Sequence, residues 1–279
     1  MTVRELLYNV TKILDSRGIE NASFEAREII AFCLGMKKND LIFQQNEECA
    51  DSDVKKAREF AQRRLHNEPL QYIIGEWTFC SLPFKLGEGV LIPRMETEFI
   101  VYKANDYLKD KGKRIIFDLC TGSGCIGISA AVNNPECEVY LLDISPYALS
   151  YAEKNVLLNG VKNVKILKYD IKRGYNSDIL PRPDVILSNP PYIESDEIAS
   201  LQPEVLKEPV SALDGGADGL DFYRILVSKW LPYINEGGMF VFESGELQPP
   251  LIKNMIKGFS SVDIEKDFFS TDRFIVGYK

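Results

Sequence analysis

Apolar side chains recur at intervals of three and four over residues 1–70, a spacing that gives an amphipathic helix one buried face. Thr2 is suited to cap a first helix, and Ser23 to cap a second helix that ends at Gly35. A third helix is predicted to begin at Asp51 or at the residue after it. This region holds no cluster of catalytic side chains, so we expect a small helical bundle that serves packing or recognition of a partner.

The pattern changes after the bundle. Residues 71–92 begin with β-branched and aromatic residues, broken by Gly75 and Pro83, and this predicts a β-hairpin linker. Over residues 93–279, short aliphatic runs alternate with helical patterns, as in a doubly wound, mostly parallel sheet. Seven strands are predicted, at 114–119, 138–143, 163–168, 183–188, 238–243, 261–265 and 273–278. Helices are predicted between most of them, near 97–109, 125–134, 146–159, 219–231 and 248–257.

Candidate binding residues stand where the predicted strands end, the edge at which such sheets bind ligands. Asp118 ends the first strand and leads into a glycine-containing turn that can approach a ligand closely. Asp143 ends the second strand, a position from which a carboxylate accepts hydrogen bonds from ribose hydroxyls. Asp170 and Ile171 follow the third, an acidic and apolar pair suited to the amino group and ring of adenine. The turn consists of Cys120, Thr121, Gly122, Ser123 and Gly124.

The fourth strand ends in Asn189, Pro190, Pro191 and Tyr192. Two consecutive prolines fix φ near −65° and remove two backbone donors, so this segment cannot continue the sheet. Its amide, its carbonyls and its aromatic ring could together hold a planar NH₂ group, with oxygens accepting the two hydrogens. A proline-rich turn that only closes a buried strand is the alternative interpretation.

The glycine pattern alone does not decide the cofactor. Gly122, Gly124 and Gly127 satisfy G-x-G-x-x-G, and Asp143 follows about twenty residues on, as in dinucleotide-binding folds. Asp118, however, precedes the loop at a position suited to a cationic amino-acid group rather than to a pyrophosphate. A dehydrogenase also has no use for a rigid amide-bearing turn. S-adenosylmethionine, a nucleoside with an ammonium and a sulfonium, accounts for both features and is favoured over NAD.

Charge and composition limit the kinds of partner and the cellular compartment that the sequence is compatible with. The chain carries 41 acidic and 33 basic residues, a net charge of −8, which disfavours a nucleic-acid-binding surface. Its six cysteines form no C-x-x-C pair and show no metal-like spacing. The single histidine, His66, lies in a polar helical segment far from the other candidates, so neither a serine-type triad nor a metal site is expected. The chain shows neither a signal peptide nor a membrane-spanning stretch, and a cytosolic protein with reduced thiols is predicted.

Distinctive motifs are spread over nearly the whole chain, at 71–76, 91–94, 118–124, 189–193, 208–216 and in the Glu243-x-Gly245-x-x-Gln248 motif. With them the chain resembles the HemK/PrmC family. These enzymes methylate the side-chain amide nitrogen (N5) of a glutamine in class-1 peptide chain release factors. The Asn-Pro-Pro-Tyr motif by itself is shared with DNA and RNA amino-group methyltransferases, which are the alternative function.

The resemblance implies a Rossmann-like class I domain that uses S-adenosylmethionine. Asp143 would bind the ribose hydroxyls, and Asp170 with Ile171 would flank the adenine. The loop 120–124 would line the methionine portion. At one position the chain departs from the family, because Cys120 stands where glycine is usual, so the loop backbone is expected to approach the cofactor less closely. At another, Met95-Glu96 replaces the usual proline and acidic residue.

The resemblance also assigns an acceptor site. Asn189 would accept one hydrogen bond from the glutamine amide and the Pro190 carbonyl a second. Tyr192 would pack over the amide plane while Pro191 holds the turn. The partner would be a class-1 release factor, recognised through residues 1–70, and the protein is expected to be a cytoplasmic monomer that binds neither membrane nor nucleic acid. Further candidates, in or beside the matching motifs, are Arg94, Thr97, Glu98 and Glu243.

Overall fold

The computed structural model describes residues 1–279, and the contacts within it divide the chain into two compact units. The first comprises Met1–Glu76 together with the short segment Pro203–Lys207. The second comprises Trp77–Gln202 and Glu208–Lys279. None of the helices is both long enough and apolar enough to cross a membrane.

The first unit is helical, as predicted. Its helices are α1 (Val3–Asp15), α2 (Ala22–Leu34), α3 (Asp51–Leu65) and α4 (Leu70–Ile74). Thr2 caps α1 through a capping box with Glu5, and α2 ends at Gly35 in the left-handed region, φ 63°. The predicted Ser23 cap is wrong, because the first bond of α2 runs from the Glu25 amide to the Asn21 carbonyl and the helix has already begun at Ala22.

The expected hairpin linker is shorter than predicted. Its first residues form α4, since the amides of Tyr72 and Ile73 both donate to the Pro69 carbonyl and their side chains are buried. Gly75 then ends this helix with φ 77°. The hairpin itself consists of β1 (Glu76–Phe79) and β2 (Leu82–Lys85), and no strand follows it before residue 93.

The second unit is built on a seven-stranded sheet in the order β5-β4-β3-β6-β7-β9-β8. All pairs are parallel except those of β9, which runs antiparallel between β7 and β8. Every predicted strand is present within two residues of its predicted bounds, and the predicted fold class is confirmed. The strands are β3 (Ile115–Leu119), β4 (Glu138–Asp143), β5 (Val164–Lys168), β6 (Val185–Ser188), β7 (Met239–Glu243), β8 (Ser261–Lys266) and β9 (Asp272–Tyr278).

Helices cover both faces of this sheet, because successive residues of each strand point to opposite faces. In β6, Val185 and Leu187 face one core while Ile186 faces the other. The first core is covered by α5 (Glu98–Leu108), α6 (Cys125–Asn133) and α7 (Pro146–Leu158), the second by α8 (Asp221–Lys229) and α9 (Pro249–Met255).

The site is located by the strand order. Strands β3 and β6 are neighbours, and from them the chain proceeds toward opposite edges of the sheet. A doubly wound sheet opens a crevice at the carboxyl ends of two such strands. The turn at 120–124 and the tetrapeptide 189–192 follow β3 and β6 directly, so both border this crevice.

Candidate active site

A cavity of about 570 Å³ opens at the carboxyl ends of β3, β4 and β6. Most of the predicted site residues lie on its wall: Arg94, Thr97, Cys120, Thr121, Gly122, Ser123, Asp143, Asp170, Ile171, Asn189 and Pro191. Six others do not: Glu98, Asp118, Gly124, Pro190, Tyr192 and Glu243. The structure therefore gathers the cofactor candidates and the amide of the tetrapeptide around a single cavity.

Asp118 lies beneath the turn rather than on the cavity wall, and it is fully buried. Its Oδ2 accepts hydrogen bonds from the Thr121 hydroxyl at 2.5 Å and from the Gly127 amide at 2.9 Å. Its Oδ1 is buried without a hydrogen-bond partner. Burial raises the pKa of Asp118 to about 7, although both hydrogen bonds act to lower it. Because a buried carboxyl oxygen without a partner is costly, it is the kind of group that a cation would stabilise.

Asp143 fixes the opposite side of the turn. Its Oδ2 accepts from the Gly122 amide and its Oδ1 from the Ser145 amide, each at 2.9 Å. Burial raises the pKa of this carboxyl, while the backbone donors act to lower it. Each carboxylate oxygen has a further lone pair, so Asp143 can still accept hydrogen bonds from a ligand's hydroxyls.

Cys120 adopts a backbone conformation that favours glycine, with φ 61°. Its side chain packs against the sheet core that contains Trp230. Burial raises the pKa of the thiol well above its usual value, so the group stays protonated and is a poor nucleophile. Two residues on, Gly122 has φ 57°, and a Cβ there would meet only Val90, at 4.0 Å, which leaves this side of the turn open for a ligand.

The adenine end predicted at Asp170 and Ile171 forms one turn of 3₁₀-helix after β5. Asp170 Oδ1 accepts from the Lys172 amide at 2.9 Å, which fixes the turn. Ile171 is buried, and Phe222 of α8 also lines this end of the cavity. Together these residues form an apolar slot beside a carboxylate. Such a slot could hold a purine ring that carries an amino group.

The tetrapeptide is held from several sides. The Ser188 hydroxyl ties β6 to β3 by donating to the Leu119 carbonyl at 2.6 Å, and Asn189 Nδ2 donates to the Thr97 hydroxyl oxygen at 3.2 Å. Gln248 Nε2 donates to the Tyr192 carbonyl at 2.9 Å. A Cβ at Gly215 would come within 2.7 Å of Tyr192 Cα, so glycine is required for this close backbone approach.

Two carboxyl groups brace the segment that precedes α5. Glu208 is buried and accepts from the Ile92 amide at 2.9 Å and from Arg94 Nη2 at 2.5 Å. Glu243, at the end of β7, is also buried, and the Thr97 hydroxyl interacts with its carboxyl. Burial raises the pKa of Glu243 to about 7, while Thr97 and Arg273 act to lower it. The segment 92–97 is thus tied to two distant parts of the chain.

The sequence did not reveal these braces. Glu208 and Gln248 lie within matching motifs, but the sequence does not indicate their roles, because their partners Arg94 and Tyr192 are 114 and 56 residues away. The available signal was that buried acidic and amide side chains need partners. The sequence makes Glu243 a candidate for the site itself, whereas the structure places it off the cavity wall.

The residues present fit S-adenosylmethionine. The cavity volume suits a ligand of that size, and its wall offers an apolar slot at one end and Asp143 beside the turn. The buried, unpartnered Oδ1 of Asp118 suits the methionine ammonium, and the open side of Gly122 leaves room for the chain that carries it. The individual roles of these residues toward the cofactor stay predictions.

Comparison with known proteins defines the class. Family models match at residues 5–75, described as the PrmC N-terminal domain, and at residues 96–218, described as the methyltransferase small domain. The crystal structure of the hMettl16 catalytic domain in complex with MAT2A 3'UTR hairpin 6 superposes with a TM-score of 0.56 at 16% identity, covering 82% of this chain and 81% of that one. SMU.776, a putative methyltransferase complexed with SAH, gives 0.52 at 10% identity, with coverages of 73% and 55%. The chain is a Rossmann-like, S-adenosylmethionine-dependent methyltransferase.

Sequence relatives narrow the class to one family. A release factor glutamine methyltransferase of Thermodesulfovibrio yellowstonii is 39% identical over 258 residues, 90% of this chain and 91% of the relative. Another, of Geobacter sulfurreducens, is 33% identical and covers 99% of both chains. The chain belongs to the release factor glutamine methyltransferase family, and the resemblance inferred from the motifs is confirmed.

Proposed function

We propose that this protein transfers a methyl group from S-adenosylmethionine to the side-chain amide nitrogen (N5) of the glutamine in the Gly-Gly-Gln motif of class-1 release factors. The observation that carries the proposal is that Asn189 and Pro191 line the same cavity as Asp143 and Asp170. The turn proposed to bind the amide and the wall proposed to bind the nucleoside therefore border one cavity. The substrate follows from the family, whose members are named for this reaction.

The cofactor lies, in this proposal, along the wall from Asp170 to Cys120. Asp143 accepts hydrogen bonds from the ribose hydroxyls, and Ile171 with Asp170 contacts the adenine. Asp118, beneath the turn, stabilises the ammonium through the negative charge of its carboxylate, and the turn itself contacts the methionine portion. When bound there, S-adenosylmethionine supplies an electrophilic methyl group on a sulfonium.

The glutamine amide binds at the tetrapeptide. Asn189 Oδ1 and the Pro190 carbonyl each accept one of its two N–H hydrogens, and Tyr192 packs against the amide plane. Accepting both hydrogens raises the electron density on a nitrogen whose lone pair is otherwise delocalised into its carbonyl. Positioning and electrostatics then provide most of the acceleration.

The reaction needs no strong base before transfer, because the methylated amide is acidic and releases its proton afterwards. The side chains around the cavity agree with this chemistry. Burial keeps the Cys120 thiol protonated and raises the pKa of Tyr192 to about 12, so neither acts as a base near neutral pH.

We further propose that the helical unit recognises the release factor and that the protein acts as a monomer in the cytoplasm, where its substrate works. The net charge of −8 supports a protein substrate over a nucleic acid, since phosphate backbones are bound by basic surfaces.

The test is incubation with methyl-labelled S-adenosylmethionine and either a class-1 release factor, DNA or RNA. We expect one methyl group on the glutamine of the Gly-Gly-Gln peptide, located by tandem mass spectrometry. Label on nucleic acid with none on the release factor would instead establish the amino-group methyltransferase alternative.

A further inference from the structure

An asparagine side chain is ambiguous as a recognition group, because its amide has an acceptor at one end and two donors at the other. Only the oxygen can accept a hydrogen from a glutamine NH₂ group. Rotation by 180° about χ2 would point the Asn189 NH₂ group at the substrate, and two donors would then face each other. Something must therefore select one of the two orientations.

The structure shows one orientation. Asn189 Nδ2 donates to Thr97 Oγ1 at 3.2 Å, and Asn189 Oδ1 accepts no hydrogen bond from the protein. Asn189 and Thr97 both line the cavity. With its nitrogen engaged by Thr97, the amide presents its oxygen as the free group.

A threonine hydroxyl could equally well donate to Asn189 Oδ1 and so hold the opposite orientation. The second partner of Thr97 removes this choice. Its hydroxyl also interacts with the carboxyl of Glu243 and acts to lower the pKa of that group, and an ionised carboxylate can only accept. While Glu243 is ionised, the single hydroxyl hydrogen is therefore drawn to it, and the oxygen is left as the acceptor for Nδ2.

Glu243 is held so that it can serve as this acceptor. It is 1% exposed, and its Oε2 has no hydrogen-bond partner, so no other donor competes for the carboxylate there. Burial raises the pKa of its carboxyl to about 7, while Thr97 and the guanidinium groups of Arg273 and Arg94 favour the charged form. The Tyr223 hydroxyl donates to its backbone carbonyl at 2.6 Å, which fixes the end of β7.

We propose that Thr97 and Glu243 are positioning residues that orient the Asn189 amide with its oxygen toward the acceptor side chain and thereby select glutamine over glutamate. The inference rests on the proposed function, since it concerns how the same site reads the substrate's amide. Neither residue needs to touch the reacting atoms. A glutamate side chain carries oxygens in place of the NH₂ group. It therefore makes no favourable hydrogen bond with an Asn189 amide whose oxygen faces the substrate.

The test measures selectivity rather than activity alone. The affinity of the full-length protein, with S-adenosylhomocysteine bound, is determined for a class-1 release factor and for the same factor carrying glutamate in its Gly-Gly-Gln motif. Thr97→Val removes the hydroxyl at nearly constant volume, Thr97→Ala removes it with less volume, and Thr97→Ser retains it. We expect the glutamine-to-glutamate affinity ratio to fall about tenfold in Thr97→Val and Thr97→Ala and to stay near wild type in Thr97→Ser. Glu243→Gln, whose amide can also donate, should lower the ratio less.

The outcomes separate the two proposals. A wild-type protein that methylates the release factor, together with a Thr97→Val or Thr97→Ala protein that keeps the full ratio and binds S-adenosylhomocysteine normally, overturns the positioning role. A wild-type protein that does not methylate the factor overturns the proposed function instead. General damage to the fold would lower the affinities for both release factors and for S-adenosylhomocysteine alike. If Thr97→Val and Thr97→Ala both behave in this way, Thr97 has a structural role and the positioning role is rejected.

Discussion

Gln248 holds Tyr192 in place by donating from Nε2 to the Tyr192 carbonyl at 2.9 Å. Its Oε1 accepts from the Gly245 amide at 2.9 Å, so the side chain is fixed at both ends. Because Pro190 and Pro191 have no N–H donors, the tetrapeptide must be secured at its ends rather than along its length. The loop after β7 secures one end directly through Gln248.

Gln248→Ala should loosen the tetrapeptide without opening the cofactor cavity. It leaves the Tyr192 carbonyl and the Gly245 amide without their partner, so we expect the free energy of unfolding to drop by about 1–3 kcal/mol. Methyl transfer should fall at least about tenfold, because misplacement of the amide acceptors by a fraction of an ångström is costly. Urea unfolding and initial rates measure the two effects. Glu246→Ala, at an exposed neighbouring position, is the control and should change neither.

Asn189→Ala should separate binding from transfer. The cofactor contacts at Asp143, Asp170 and the turn remain, so the affinity for S-adenosylmethionine, measured by calorimetry, should change less than about threefold. The transfer rate should fall about a hundredfold or more, as when one preorganised hydrogen-bonding group is removed from other active sites. Full transfer activity in this variant would refute the role assigned to the amide.

Cys120 offers a test of the backbone at the turn. Glycine relieves a left-handed conformation that costs other residues about 1–2 kcal/mol, but it loses more chain entropy on folding. Cys120→Gly should therefore change the free energy of unfolding by less than about 1 kcal/mol and keep most of the activity. Cys120→Val places a β-branched side chain at φ 61° and should destabilise by about 2 kcal/mol. A large loss of transfer in a stable Cys120→Gly protein would instead show that the thiol takes part.

The fold was predictable because each strand carries its own signal. Runs of five or six residues, most of them rich in apolar side chains, predicted all seven strands, and glycines and acidic residues at their ends located the cavity. The antiparallel placement of β9 between β7 and β8 was not predictable, since adjacent strands leave no mark of their order in a local pattern. The side-chain braces were hidden for the same reason. Asn189 meets Thr97 across 92 residues, and neither residue's neighbours indicate the other.

Asp118 should make cofactor binding depend on pH. Burial raises the pKa of its carboxyl to about 7 in the free protein, with the nearby Asp143 raising it further and the hydrogen bonds from Thr121 and Gly127 lowering it. A bound ammonium favours the carboxylate, so binding lowers that pKa and releases a proton. Affinity should thus weaken as pH falls from 8 to 6, by up to about tenfold. Asp118→Asn should bind weakly at pH 8 and lose most of this dependence; an unchanged slope would assign the proton to another group.

Glu243 should impose a second pH dependence, visible in the transfer rate with saturating cofactor. Burial raises the pKa of Glu243 to about 7. Below that pH the carboxyl is protonated and can donate to the Thr97 hydroxyl oxygen, so the hydroxyl hydrogen is free to turn toward Asn189. The orientation in which the Asn189 oxygen faces the substrate is then no longer enforced. The charged and titratable groups that face it are Arg94, Glu96, Tyr192, Tyr223 and Arg273.

The expected profile follows from this proton. The maximal transfer rate should decline as pH falls through about 7, and the decline should be lost in Glu243→Gln, which carries no titrating group there and keeps a lower, flat rate. Thr97→Val should also flatten the profile, because it removes the hydroxyl through which the carboxyl acts. Glu98 follows Thr97 directly in the chain, but its carboxyl accepts from the Cys80 amide. Glu98→Gln is therefore the matched control and should keep the wild-type profile. A decline that persists in both Glu243→Gln and Thr97→Val would place the titrating group elsewhere and leave Glu243 with a purely structural role.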